Sequence, residues 1–453
     1  MNDRHMRRKA AIFLDAVYEG ATGLLPMALG LWFYHPLLRL PHPPVYFIYS
    51  SVLLFGSDLL ILIALSADLS LRALTGTLRL HRPPLPILGL LGLAGWAILS
   101  AAWSIEPRLS AYTGFHLLGI AVWILSLSER PKAWRALSTG CMLGILLQSS
   151  VAVLEILAQS TAFLRPLPLE WPGQLDPSIP GAAVIELPEG RRWLRAYGTL
   201  PHPNLLGLYL LGLMAGPATW GVQPNPWSFI GGLGLGLGAF GIGLSFSRAA
   251  WLGCIASFIG LLRTPQLSPR RRLLLLLAGA IGGLAVAWLF PSQTITRLTG
   301  RGSALELRSV RERQWLMEQA WRQITSHPLL GTGAGTFPLA LREAIPPGYR
   351  AEPVHHVGAL ILTELGLPGV GFGLVMLWAF LRERRRREDP EAWALTAFLI
   401  GLLIASMLDH PLWTMAPMRA LGGCLLGAWL GRQKSGDAGD RRPPASPDPS
   451  EGH

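Results

Sequence analysis

The chain has 453 residues, 51% of them hydrophobic and only 15% charged, well below the roughly 25% charge of a soluble domain. Its net charge of +12 is scattered through short segments between apolar runs, which argues against a nucleic-acid surface. The three cysteines, Cys141, Cys254 and Cys424, each fall inside an apolar run, so neither a disulfide framework nor a cysteine metal site is indicated.

Apolar runs of 16 to 25 residues recur from end to end, the pattern of an all-α polytopic membrane protein. Met1 to Lys9 is basic but leads into this series rather than to a small-residue cleavage site. Twelve spans are expected, near 20–38, 45–66, 85–103, 112–128, 136–160, 202–220, 227–246, 249–263, 273–290, 357–381, 391–409 and 412–431. Basic residues concentrate in alternate connections: Arg4/Arg7/Arg8/Lys9, Arg72/Arg79/Arg82, Arg130/Lys132/Arg135, Arg263/Arg270/Arg271/Arg272 and Arg382/Arg384/Arg385/Arg386/Arg387. Short outer turns carry only Arg39 and Arg108. This bias puts both termini in the cytoplasm, in the cytoplasmic (inner) membrane. Two long segments, about 161–201 and 291–356, then face outward. Residues 1–434 read as a single transmembrane domain, and 435–453, rich in Pro, Gly, Asp and Ser, as a disordered cytoplasmic tail. Asp389-Pro390 reads as a helix start, with Asp389 as N-cap.

Four features converge on the outer side. Arg195 lies in Arg191-Arg-Trp-Leu-Arg-Ala-Tyr-Gly-Thr-Leu-Pro-His-Pro-Asn204, entering the sixth span. Arg248 is the only charge from Trp227 to Leu262; that stretch is about 55 Å as one helix, so it must turn back, and Arg248 marks the turn. His355 and His356 end a polar loop just before an apolar helix carrying Glu364, and Asp409-His410 separates the last two spans. Each has a bland reading: snorkelling for Arg248, a loop charge for Arg195, a carbonyl partner for His355, and structural roles for His202, His356, Asp409 and Glu364. In the functional reading, Arg195 and Arg248 grip phosphate while His355 accepts a proton from a hydroxyl nucleophile. His202, Asn204, His356 and Asp409 stand as supporting residues.

No Walker-type loop, dinucleotide fingerprint or Asp-x-Asp pair occurs, so no cofactor and no metal are expected, and a preactivated lipid-linked donor must supply the energy. In the second outer segment, Val310, Met317, Ala320, Trp321 and Ile324 recur at helical spacing among Arg308, Arg311, Arg313 and Arg322. They predict an amphipathic helix lying on the membrane or over the bundle. Gly331-Thr-Gly-Ala-Gly335 lacks the Lys-Ser/Thr end of a phosphate loop and reads as a flexible turn.

Four segments in order carry a family resemblance: Arg195-Ala-Tyr-Gly-Thr-Leu-Pro-His-Pro-Asn204, Ser245-Phe-Ser-Arg-Ala-Ala-Trp-Leu-Gly253, Trp321-Arg-Gln-Ile-Thr-Ser-His-Pro-Leu-Leu-Gly-Thr-Gly-Ala-Gly-Thr-Phe337 and His355 to Gly366. With them the chain resembles the O-antigen ligase and O-antigen polymerase superfamily of bacterial membrane proteins. The resemblance implies a GT-C-type fold and a metal-independent, inverting transfer of glycan from undecaprenyl diphosphate to an acceptor hydroxyl on a glycolipid, glycan or protein. It implies outer-face arginines at Arg195 and Arg248 and an essential histidine at His355. The family pattern is His-Asn, so His356 departs from it. Polymerase and protein O-oligosaccharyltransferase readings stay open, as does a lipid-linked oligosaccharide flippase, although no internal repeat supports the last.

Overall fold

A computed structural model describes residues 2–40, 43–78, 82–167, 174–265, 267–300, 304–347, 349–384 and 389–439. Arg79, Arg385, Arg386 and Arg387 of the charge pattern, and 440–453 of the expected tail, lie outside the described residues. The fold is a bundle of apolar helices with two small β-hairpins among its loops.

The first two expected spans are redrawn. Helix α1 runs from Asn2 to Ala28, well before position 20. Strand β1 (Tyr34–Leu38) then pairs antiparallel with β2 (Val52–Phe55), with the short α2 (Phe47–Ser50) between them. Pro36, Pro43 and Pro44 are incompatible with a continuing helix, and the alternating exposure of β1 fits a half-buried strand. The next helix is α3, Gly56–Thr75.

Helices α4 (Leu85–Leu99), α5 (Pro107–Ser128) and α6 (Ala133–Ala158) follow. The hairpin of β3 (Val184–Glu186) and β4 (Arg192–Leu194) leads to α7 (Pro203–Leu213), every residue of which is buried. A helix apolar all round belongs in the middle of a bundle. The expected span 202–220 is split at Met214, where α7 gives way to α8 (Ala215–Gly221).

Helix α9 (Trp227–Ser245) turns back into α10 (Arg248–Leu262) through Phe246, whose φ is +49°, and Ser247 caps α10. The turn falls beside Arg248, as the apolar length requires. Then come α11 (Pro269–Leu289), α12 (Pro291–Thr299), the amphipathic α13 (Ala304–Ser326) and the short α14 (Phe337–Ala340). Helix α15 (Val357–Arg384) kinks at Gly366, followed by α16 (Pro390–Ser406), α17 (Pro411–Thr414) and α18 (Ala416–Gly439). Asp389 caps α16, accepting from the Glu391 and Ala392 amides at 3.2 Å each.

Among the described residues, six helices are long and apolar enough to cross a bilayer: α4 (extended to Ala102), α5, α6, α9, α11 and α15; α10 and α16 are shorter apolar helices. The face of α13 differs from expectation. Leu316, Gln319 and Ala320 pack inward, while Val310, Met317 and Trp321 are exposed. The apolar stripe is wider than the contact with the bundle, and only one edge of it is covered.

Candidate functional site

The site begins with the segment that follows β4. Glu155 of α6 accepts hydrogen bonds from the amides of Tyr197 and Gly198, both at 2.8 Å, and Gln148 accepts from Thr199 at 2.9 Å. A buried acid and a buried amide on one helix thus fix the backbone between β4 and α7. That fixes Arg195, itself buried, whose Nε donates to the Ser245 carbonyl at 2.9 Å. Its Nη2 donates to Asn204 Oδ1 at 2.7 Å.

Asn204 carries the connection onward, its Nδ2 donating to Asp409 Oδ2 at 2.8 Å. Asp409 Oδ1 accepts from the His410 amide at 2.9 Å. The His410 ring meets His355 edge to face, with centroids 5.2 Å apart. His410 Nδ1 lies 2.8 Å from Thr414 Oγ1, and Tyr49 of α2 covers the same ring at 5.9 Å. The first β-hairpin therefore helps roof the site. A buried chain of polar groups runs from Arg195 through Asn204 and Asp409 to the two imidazoles.

The two adjacent histidines separate cleanly. His356 Nδ1 accepts the Ala359 amide at 3.1 Å, so it caps the start of α15. His355 Nδ1 is buried with no hydrogen-bond partner among the described residues. Burial pushes the His355 pKa down to about 3, partly opposed by the Asp409 charge, so the imidazole is neutral near pH 7 and can accept a proton. His202 caps α7, its Nδ1 accepting from the Asn204 amide at 3.1 Å.

Arg248 stands at the first turn of α10, partly exposed, with Nη2 3.3 Å from Glu306 of α13. Arg297 is ion-paired to the same carboxylate and donates through Nε to the Phe246 carbonyl at 2.9 Å. Arg195 feels the charges of Arg297, Glu306 and Arg313. Arg313 lies seven residues beyond Glu306, hence on the same inward face of α13 that buries Leu316 and Ala320. Among the described residues Arg313 is half-buried and has no hydrogen bond or ion pair, yet its charge acts on Arg195, Asp409, His355 and His410. Arg195, Arg248, Arg297 and Arg313 gather here around Glu306, and the Arg313 charge also reaches the Asp409 and Glu352 carboxylates. Guanidinium groups gathered in a sheltered position are suited to an anion.

Glu364 is a brace. Its carboxylate accepts from the Gly335 amide at 2.8 Å, the Phe337 amide at 3.2 Å and Trp413 Nε1 at 2.8 Å. The Gly331–Gly335 segment is therefore pinned rather than a flexible turn. Gly331, Gly333 and Gly335 all have positive φ, and Gly366 packs so closely on the Leu329 carbonyl that a Cβ would lie 2.2 Å from it.

Sequence alone does not single out Arg297 and Glu306, and it names Arg313 only among the arginines of the amphipathic helix; their place near motif residues reveals them. Glu155 carried a usable signal, as a lone acid in an apolar run. His355, Asp409 and His410 bring potential metal-ligand atoms within 4.8 Å of one another. Their other bonds and the nearby Arg313 charge work against a dication there.

The family model described as O-antigen ligase matches residues 233–372, from α9 into the first half of α15. The match includes Arg248, Arg313 and His355, and it supports the O-antigen ligase superfamily. No curated protein matches the chain.

Proposed function

With the O-antigen ligase match as premise, we propose that this membrane protein transfers a glycan from undecaprenyl diphosphate to an acceptor hydroxyl at the outer face of the cytoplasmic membrane. The observation that carries the reading is the buried chain Arg195–Asn204–Asp409, which ends beside the unpartnered Nδ1 of His355. It couples an anion-binding cluster to a base.

In the reaction the acceptor oxygen attacks the anomeric carbon with inversion, and His355 takes the hydroxyl proton. The glycosidic C–O bond to diphosphate breaks, and its electron pair leaves with the phosphate oxygen. Arg248 and Arg313 are the partly exposed cations able to touch the diphosphate, with Arg195 holding the floor beneath them. Asp409 favours the imidazolium that forms. Charge on the leaving group is met by guanidinium groups, so the transfer is metal-independent.

Twelve crossings remain the proposed topology, with both termini cytoplasmic. Supporting it, helix ends alternate: Ser245, Asn204 and Asp409 meet at one end, whereas Gln223, Glu391 and Arg432 meet at the other. The chemistry-bearing residues gather at one end rather than the midplane, which favours an enzyme over a flippase.

The test is reconstituted protein with a defined undecaprenyl-diphosphate glycan and a hydroxyl acceptor. A new glycosidic bond with release of undecaprenyl diphosphate supports transfer. A single addition means a ligase or protein O-glycosylation, according to the acceptor, and a ladder on the lipid means a polymerase. Lipid movement without bond formation would overturn the enzyme.

A further inference from the structure

A second cavity of about 830 Å³ opens at the far end of the bundle, between α6, α8 and α9. Helix α6 spans 26 residues, about 39 Å end to end, with this cavity at its first turn and Glu155, which holds the Tyr197–Gly198 backbone, in its last. The two sites share no residue.

The mouth is basic and aromatic. Lys132 and Arg135 line it, both exposed and without an ion-pair contact among the described residues, although the Arg135 charge also acts on Glu391 of the same lining. The nearby Arg432 differs, being paired with Glu391. Trp220 and Trp227 flank the mouth with ring centroids 6.0 Å apart, and Trp227 is 57% exposed. Indoles at a helix-bundle rim are typical of the headgroup level of a bilayer. Asn225 Oδ1 is buried there and accepts no hydrogen bond, leaving an acceptor for a hydroxyl.

The wall changes character with depth. Met142 and Leu143, two to three turns into α6, face Ile230 of α9, and Leu143 is 46% exposed. Both helices are apolar enough to span a bilayer. Cations beside an apolar groove match a phosphate headgroup with its acyl chain.

We propose that this cavity binds an anionic glycerophospholipid, its phosphate on Lys132 and Arg135 and one acyl chain along the Met142–Leu143–Ile230 wall. The exposed Leu143 lies on an apolar helix long enough to span a bilayer, where lipid is the abundant ligand with both an anion and a chain. A soluble phosphate compound would use the mouth alone.

The test uses the full-length protein purified in detergent. Phosphatidylglycerol, phosphatidylcholine with the same chains, and inorganic phosphate are titrated separately, reading retained lipid by native mass spectrometry and the thermal midpoint. The expected result is retention of phosphatidylglycerol roughly tenfold stronger than phosphatidylcholine, no effect of phosphate, and loss of the preference in the Lys132→Ala/Arg135→Ala variant. Lys132→Arg should keep it, and Leu143→Trp should weaken retention of both lipids by filling the groove. Equal retention of the two lipids, an unchanged preference in the double variant, or protection by phosphate alone would each overturn the proposal.

Discussion

Asn204 ties Arg195 to Asp409, accepting from the guanidinium at 2.7 Å and donating to the carboxylate at 2.8 Å. One amide side chain thereby holds the proposed phosphate side of the site and the proposed proton side at a fixed separation. Asn204→Ala leaves two buried charged groups short of a partner, a cost of about 3 kcal/mol. The expected outcome is a lower thermal midpoint together with a fall in both donor affinity and kcat. Normal kinetics would contradict the coupling.

Asp409→Asn keeps the shape and removes the charge beside His355. With the imidazolium less favoured, kcat should fall by roughly 10²-fold or more, while donor binding is retained. Steady-state kinetics on the reconstituted variant separate the two effects.

Arg313→Ala tests a half-buried cation on α13 with no hydrogen bond or ion pair among the described residues. Loss of a charged contact of about 1.5–3 kcal/mol should raise the KM for the lipid-diphosphate donor roughly tenfold to a hundredfold. Because Arg313 makes no hydrogen bond or ion pair among the described residues, the thermal midpoint should hold. A fall in stability with unchanged KM would assign it a structural role.

The acid limb of the pH profile follows from burial. His355 is held near 3, so lowering pH through 6.5 does not protonate it in the free protein. The account predicts kcat/KM without an imidazole inflection between about pH 5 and 8. A chelator should likewise leave the rate unchanged; a loss restored by zinc would instead make His355, Asp409 and His410 a metal site.

The sequence and the structure agree where local chemistry decides the outcome. The turn at Arg248, the Asp389 cap and the amphipathic α13 were legible because length, capping residues and periodicity are local signals. The hairpin over 34–55 was not, since its aromatic and β-branched residues are as apolar as a span. Long-range pairing hid the rest. Glu306 between Arg248 and Arg297, and Glu364 under Gly335, join segments that no spacing rule connects.

The central claim is that His355, not its neighbour, is the base. His355→Ala and His356→Ala should be compared in one assay, with donor binding and transfer both measured in reconstituted protein. The account predicts that His355→Ala binds donor but forms no glycosidic bond, while His356→Ala loses about 1 kcal/mol of helix capping and still transfers. Near-normal transfer by His355→Ala, or its loss only in His356→Ala, would contradict it.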